Sequence, residues 1–402
     1  MCLNVCYFEP LFIYKFQIQL LTPFCNRWDM FAVSMFIPMI LIQTKSLGAS
    51  PLTTGFIGSI YGCLQLISSP LIGSWSDSKG KKFVLCICLL MSALAYFITG
   101  LAYSLPMMIC ARIIIGIFKH TQTIGRAYLA DITPENSEGK IFGQFMATSN
   151  MGFIVGPVIG GHLGNLPNGF FYVCTFTTFI FLTSFVLLYL AVPEISPKEK
   201  KCSKQIEMWK VFTHLSDINW SKQYDLMIGR FFFSFAVLVY RSNFSLLMNE
   251  SLGLDSVMIG YIISYQGIIS ACSGFFVGKI EQFYKQKRAR LLKHAMVLLI
   301  LSLVGLTMAQ DVYWIVPCLT LLCFSTSIIR VQYMELSVHR CEKDEVGAVI
   351  GVAQSITSIS RMFSPLVAGI TQQIGIYGPG TMGIISSVLG YMFTLVIPKF
   401  VK

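Results

Sequence analysis

Seven ionisable residues fall inside long apolar runs of this sequence: Asp29, Arg112, Lys119, His120, Arg230, Arg241 and Arg361. At bilayer depth such a group costs about 2.5–3.5 kcal/mol even on permissive scales, so each requires a counter-ion or a wet cavity. Asp29 and His120 are the candidate proton carriers, since histidine titrates near neutral pH with little help. They read equally well as structural partners of Arg112 or Lys119. Arg112, Lys119 and Arg126 recur every seven residues, so a continuous helix would place them on one face with Gly116 and Thr123. Arg230, Ser234, Arg241 and Ser245 are spaced to share a second face. Buried cations outnumber carboxylates, which favours an anionic or carboxylate-bearing ligand. The bland alternative for Arg126 and Arg330 is a helix-end ion pair with Asp131 and Glu335.

Nothing here offers catalysis. There is no nucleophile–base set, no Cys-x-x-Cys or Cys/His metal spacing, and no phosphate-cradling Gly-x4-Gly-Lys-(Ser/Thr) run. No cofactor is expected, and no segment resembles a channel filter. The 13 cysteines lie mostly in apolar stretches, such as Cys86 and Cys88, and read as small buried hydrophobes.

The elements that must position these groups are membrane helices. The chain has 402 residues, 54% hydrophobic and 12% charged, about half the charge of a soluble domain. A spanning helix needs about 20 mainly apolar residues. Segments of that kind fall near 28–44, 52–72, 83–103, 107–128, 140–163 and 169–192, then 224–247, 256–278, 291–309, 312–334, 347–374 and 381–398. The expected organisation is an atypical segment 1–27, a six-helix bundle 28–192, a basic cytoplasmic linker 193–223, a second bundle 224–398 and a tail 399–402. Residues 1–27 are atypical because Pro23, Asn26 and Arg27 interrupt an apolar start, and they lack the order of a cleaved leader.

The net charge of +11 does not point to nucleic acid, because the cations alternate between loops. Twenty lysines and arginines fall on one side of the expected bundle, against Lys45 on the other. That bias sets both termini in the cytoplasm. The sequon at Asn249 then falls on the outer side, near a span end.

The halves repeat weakly. Gly55, Gly62, Ser68 and Gly73 match Gly260, Gly267, Ser273 and Gly278 at an offset of 205, and Arg126 and Asp131 match Arg330 and Glu335 at 204. Gly143, Pro157 and Gly161 match Gly351, Pro365 and Gly369 at 208. Repeated six-helix halves hold a substrate site near the midplane and rock about it.

Two motifs carry a resemblance. The loop after the second span contains Gly73, Asp77, Gly80, Lys81 and Lys82. It resembles the major facilitator superfamily signature Gly-x-x-x-Asp-(Arg/Lys)-x-Gly-x-(Arg/Lys)-(Arg/Lys), with Ser78 departing from it. The resemblance implies a cytoplasmic latch between helix ends, served by these residues with Arg126 and Asp131. The second copy, around Gly278 and Glu281, looks eroded. The fifth span carries Gly143, Gly152, Gly156, Pro157, Gly160 and Gly161, which matches the superfamily's antiporter motif at every fixed position. The same glycines read without it as a smooth groove at a proline bend. Arg112 and Gly116 match a further superfamily motif on the fourth span. Spans one to five are most similar to the tetracycline-resistance-like branch.

The resemblance implies an all-α membrane protein of the major facilitator fold, with twelve transmembrane helices in two pseudo-symmetric six-helix bundles. Helices one, four, seven and ten would line the cavity, bringing Ser325, Ser327 and Arg330 to it. It implies a monomeric, non-enzymatic, proton-coupled carrier of a small organic solute. A sensor or scaffold that keeps the fold without flux is the alternative.

Overall fold

The computed structural model describes residues 8–133, 138–191, 220–284, 287–341 and 346–396. All regular structure among them is helical. The first half of the sequence forms α1 (Phe8–Ser46), α2 (Pro51–Lys79), α3 (Lys81–Gly100), α4 (Leu105–Phe118), α5 (Thr121–Ile132), α6 (Glu138–Gly164) and α7 (Gly169–Ala191). The second forms α8 (Trp220–Ser242), α9 (Phe244–Leu252), α10 (Ser256–Phe283), α11 (Arg288–Thr307), α12 (Val312–His339), α13 (Val346–Ile374) and α14 (Gly378–Val396). The tail 399–402 and residues 193–219 of the expected linker lie outside the described residues.

Seven of these helices, namely α2, α3, α7, α10, α11, α12 and α14, are long and apolar enough to cross a membrane. The pair α8–α9, bent by 50°, adds an eighth if taken as one span. Counting α4–α5 likewise as one run gives twelve helical runs among the described residues.

Three expected boundaries differ. Helix α1 starts at Phe8 and passes unbroken through Pro23, Asn26 and Arg27, whereas the apolar run alone placed its start at 28. The fourth span is two helices, because Lys119 (ψ 64°) and His120 (φ −115°, ψ 15°) leave helical geometry. The seventh breaks at Asn243, whose side-chain amide donates to Gln372 Oε1 at 2.6 Å. In both cases a buried polar side chain gains a partner where the helix gives up its own bonds.

Two compact units form, and each has its own packing. The first comprises the described residues up to Ile40 and from Ile67 through α7. Its core includes the Tyr96 ring stacked on Phe181 at 5.3 Å and edge-on to Phe36 at 5.2 Å. Helix α6 presses on α1 through a glycine at every fourth position. A Cβ at Gly152 would lie 2.6 Å from Phe31 N, and one at Gly160 would collide with the Met35 carbonyl oxygen. Ser34 Oγ seals the contact by donating to Gly152 O at 2.8 Å.

The second unit takes Leu41–Leu66 together with α8–α14. Its largest apolar cluster joins α8, α11 and α12 through residues such as Ala236, Leu299 and Leu322. The start of α2 lies against the proline bend of α13: a Cβ at Gly58 would come within 2.9 Å of Pro365 Cβ. The Leu366 amide, which follows that proline, donates to Ser59 Oγ at 3.0 Å. A hydroxyl on α2 thus supplies an acceptor at the point where the proline disturbs the helical ladder.

Candidate functional site

The helix break in the first unit assembles a buried polar centre. Lys119, 8% exposed, ion-pairs through Nζ with Oδ1 of Asp29, 2% exposed. Lys119 Nζ also lies 3.0 Å from Thr121 Oγ1, and the Thr121 hydroxyl donates to Asp29 Oδ2 at 2.5 Å. Both carboxylate oxygens are therefore occupied. The ammonium additionally sits 4.7 Å from the Phe181 ring centroid, where the ring's negative face favours it. His120 turns the other way, its Nε2 2.7 Å from Ser68 Oγ, which also reaches Gly116 O at 3.2 Å. On a continuous helix neighbouring side chains point about 100° apart, so the break frees Lys119 and His120 to take these separate partners. Arg112 lies over the Phe36 ring at 5.0 Å.

The seven-residue stripe expected of Arg112, Lys119 and Arg126 is thus not a helical face. Asp29 and Lys119 come together; Arg112 lies in the same core of the unit, and Arg126 sits on the far side of the break. The Nε of Arg126 is buried with no hydrogen bond.

The second unit is different in kind. At offsets of 205 and 207, Asp29 and Lys119 correspond to Ser234 and Thr326, both buried hydroxyls. Ser68 and His120 correspond to Ser273 and Ser327, whose hydroxyls meet at 2.6 Å. The contact is repeated while the charges are not. Instead this unit holds arginines: Arg230 is 7% exposed, lies within electrostatic reach of Arg330, and leaves Nη1 without a hydrogen bond. Arg330 is in turn within reach of Arg241 and Arg361.

The residues of the loop signature show a second repeated geometry. Lys81 Nζ bonds Asp131 Oδ2 at 2.5 Å and Ala127 O at 3.0 Å. Gly80 makes the turn into α3 at φ 99°, a conformation that suits glycine. Lys82 donates to Tyr189 O at 2.9 Å. Asp77 stands exposed in the last turn of α2 rather than ahead of the next helix. In the second unit Arg288 Nε is held by Glu281 at 3.0 Å and Glu335 at 3.1 Å. These carboxylates correspond to Asp77 and Asp131 at an offset of 204. The second copy keeps Gly278 opposite Gly73 and has no glycine opposite Gly80, and it holds an acid–base contact of its own. The alternative pairs Arg126–Asp131 and Arg330–Glu335 are not formed; Lys81 and Arg288 take those carboxylates.

The sequence profile of the Major Facilitator Superfamily matches residues 20–365. The chain belongs to that superfamily. It is 25% identical over 371 residues to the quinolone resistance protein NorA of Staphylococcus aureus (strain COL), spanning 90% of this chain and 92% of NorA. It is 24% identical over 368 residues to multidrug resistance protein 1 of Bacillus subtilis (strain 168), with the same shares covered. Among solved structures it superposes on a bacterial homolog of the human lysosomal transporter Spinster with a TM-score of 0.76 at 13% identity, covering 95% of both chains. The human organic anion transporter MFSD10 gives 0.64 at 17% identity, covering 94% of this chain and 99% of that one. The architecture is the major facilitator fold of a multi-pass membrane transporter, not an enzyme.

Within that fold, several site positions were not singled out from sequence. Thr121 completes the Asp29–Lys119 centre, and Phe181 backs it; only the placement of Thr121 two residues after a buried lysine gave any signal. Ser68 stood out in the repeat but carried no assigned partner. Gly164 extends the α6 glycine series onto Met39. Gly143 lies within α6. Asn249 sits inside α9 and donates through Nδ2 to Leu254 O at 3.0 Å, so a glycan there would leave one amide hydrogen for this bond.

One consequence can be measured at the latch. Arg288→Gln removes two charged bonds and leaves Glu281 and Glu335 facing each other, which costs about 1–3 kcal/mol. Thermal unfolding in detergent should show a lowered midpoint, and a midpoint equal to the parent's would deny the contact a structural role.

Proposed function

We propose that this superfamily member is a proton-coupled secondary carrier that moves a small anionic or amphipathic organic solute by alternating access. The observation that supports it best is the Asp29–Lys119–Thr121 centre, an ion pair buried at a helix break on one unit only. A pair kept merely for stability would gain from replacement by apolar side chains. A carboxylate whose partners must be released before it can take a proton is instead suited to gating. The glycine series of α6, which matches the antiporter motif, supports exchange against protons. NorA and multidrug resistance protein 1 are resistance proteins by name, which favours a broad solute range.

In this reading the protein is a monomer with both termini cytoplasmic, placed so by its loop lysines and arginines. Spans one to five support membership of the tetracycline-resistance-like branch, and the runs at 44–51 and 116–121 support similarity to major facilitator superfamily domain-containing protein 9 in particular. The test is flux in proteoliposomes under an imposed pH gradient, over a panel of organic anions and amphipathic drugs. Gradient-dependent movement that collapses with a protonophore is the expected result. A solute that binds without flux would instead make the chain a sensor or scaffold.

A further inference from the structure

We infer that the second unit carries an oxyanion site centred on Arg230 and Arg330, and that its ligand bears two negative charges. The inference rests on the carrier reading for what happens to the ligand, but not for its binding.

Four arginines on three helices define the site. Arg230 and Arg241 lie eleven residues apart on α8, and so on one face about 16 Å apart. Arg330 of α12 is within electrostatic reach of both, and Arg361 of α13 is within reach of Arg330. No carboxylate is paired with any of the four among the described residues. Among the described residues, the acids of this unit other than Asp311, which stands exposed ahead of α12 and nineteen residues before Arg330, are engaged elsewhere. Asp225 holds Arg340 at 2.6 Å, Glu250 holds Lys45 at 2.7 Å, Glu281 and Glu335 hold Arg288, and Asp255 caps α10.

The decisive group is Arg230. It is more than nine-tenths buried, and its Nη1 has no acceptor. The adjoining Tyr333 hydroxyl, packed against α8 at Gly229, is also buried without a partner. Two unused donors beside a buried cation describe the complement of an oxyanion, because a guanidinium matches carboxylate and phosphate geometry. One oxyanion group satisfies Arg230 and Tyr333 with Arg330 alongside. Arg241, about 16 Å along α8 from Arg230, lies too far for that same group, and with Arg361 of α13 near Arg330 it calls for a second one. A dianion therefore fits better than a monoanion, and a cation is repelled.

The test uses the purified full-length chain in detergent at fixed ionic strength, reading the unfolding midpoint. The probes are succinate, phenyl phosphate and naphthalenedisulfonate, set against butyrate, benzenesulfonate and tetraethylammonium. At least one dianion should raise the midpoint at a concentration at least tenfold below its monoanionic counterpart. The rise should vanish in Arg230→Gln and in Arg330→Gln, the latter an exposed position that leaves packing intact, and persist in Arg290→Gln. No shift with any dianion, or an equal shift in Arg330→Gln, overturns the inference. Flux in proteoliposomes separates the two readings. Arginine-dependent binding without flux leaves the site standing and removes the carrier. Flux of tetraethylammonium with no anion shift does the reverse.

Discussion

Asp29→Asn should abolish gradient-driven flux and lower the stability of the first unit, and adding Lys119→Gln should restore stability without restoring flux. The single change removes the counter-ion of an ammonium that is 8% exposed and keeps its contacts with the Thr121 hydroxyl and the Phe181 face. Removing one partner of a buried pair costs about 3–5 kcal/mol, since the other charge stays desolvated. Lys119→Gln alone should cost less, because Asp29 still accepts the Thr121 hydroxyl bond. In the double variant two amides of similar size replace two charges, and Thr121 can serve either. Unfolding midpoints in detergent give the order: parent, then double variant, then Lys119→Gln, then Asp29→Asn. Uptake under a pH gradient gives the second axis. A double variant that transports like the parent would reduce the pair to scaffolding and remove the proton-coupling assignment.

The charge pattern was readable in the sequence because a lysine, an aspartate or an arginine inside an apolar run has few reasons to be there. That logic found Asp29, Lys119, His120 and Arg230, and the structure buries all four. What periodicity missed was the helix break, since a seven-residue spacing assumes the backbone continues. Lys119 and His120 leave the helix because tertiary partners, Asp29 and Ser68, outweigh the local bonds. The second-unit latch escaped for the opposite reason. Gly278 stayed, but the second glycine and the basic pair of the signature were missing, so the motif looked eroded, yet Glu281 and Arg288 make an acid–base contact there. A residue pattern records one solution to a packing problem. The offset of 205 between the halves paired Ser68 with Ser273, and the structure gives these two serines corresponding partners, His120 and Ser327.

Gly156→Ala should deplete folded protein more than alanine at any glycine of α10 that faces open space. A Cβ at Gly156 would collide with Ser34 Oγ and come 2.7 Å from Phe31 O. The serine can rotate, but the carbonyl belongs to the α1 backbone and cannot move without shifting the helix. Overpacking of this kind costs about 1–3 kcal/mol, and a bulkier side chain exceeds it. Gly274 and Gly278 meet nothing within 4 Å of an added Cβ, and alanine is favoured over glycine within helices by about 0.8–1.0 kcal/mol. Their alanine variants should therefore match or exceed the parent in folded yield, measured by size-exclusion recovery and unfolding midpoint. Ser34→Gly should recover part of the Gly156→Ala loss, since it removes the nearest obstacle and leaves Phe31 O. Equal yields for Gly156→Ala and Gly278→Ala would show that α1 and α6 do not approach so closely. If Gly156→Ala/Ser34→Gly folds but exchanges solute without protons, the glycine series sets coupling as well as contact. The close approach of α6 to the helix that carries Asp29 supplies the route, because any shift of α1 displaces the carboxylate from Lys119.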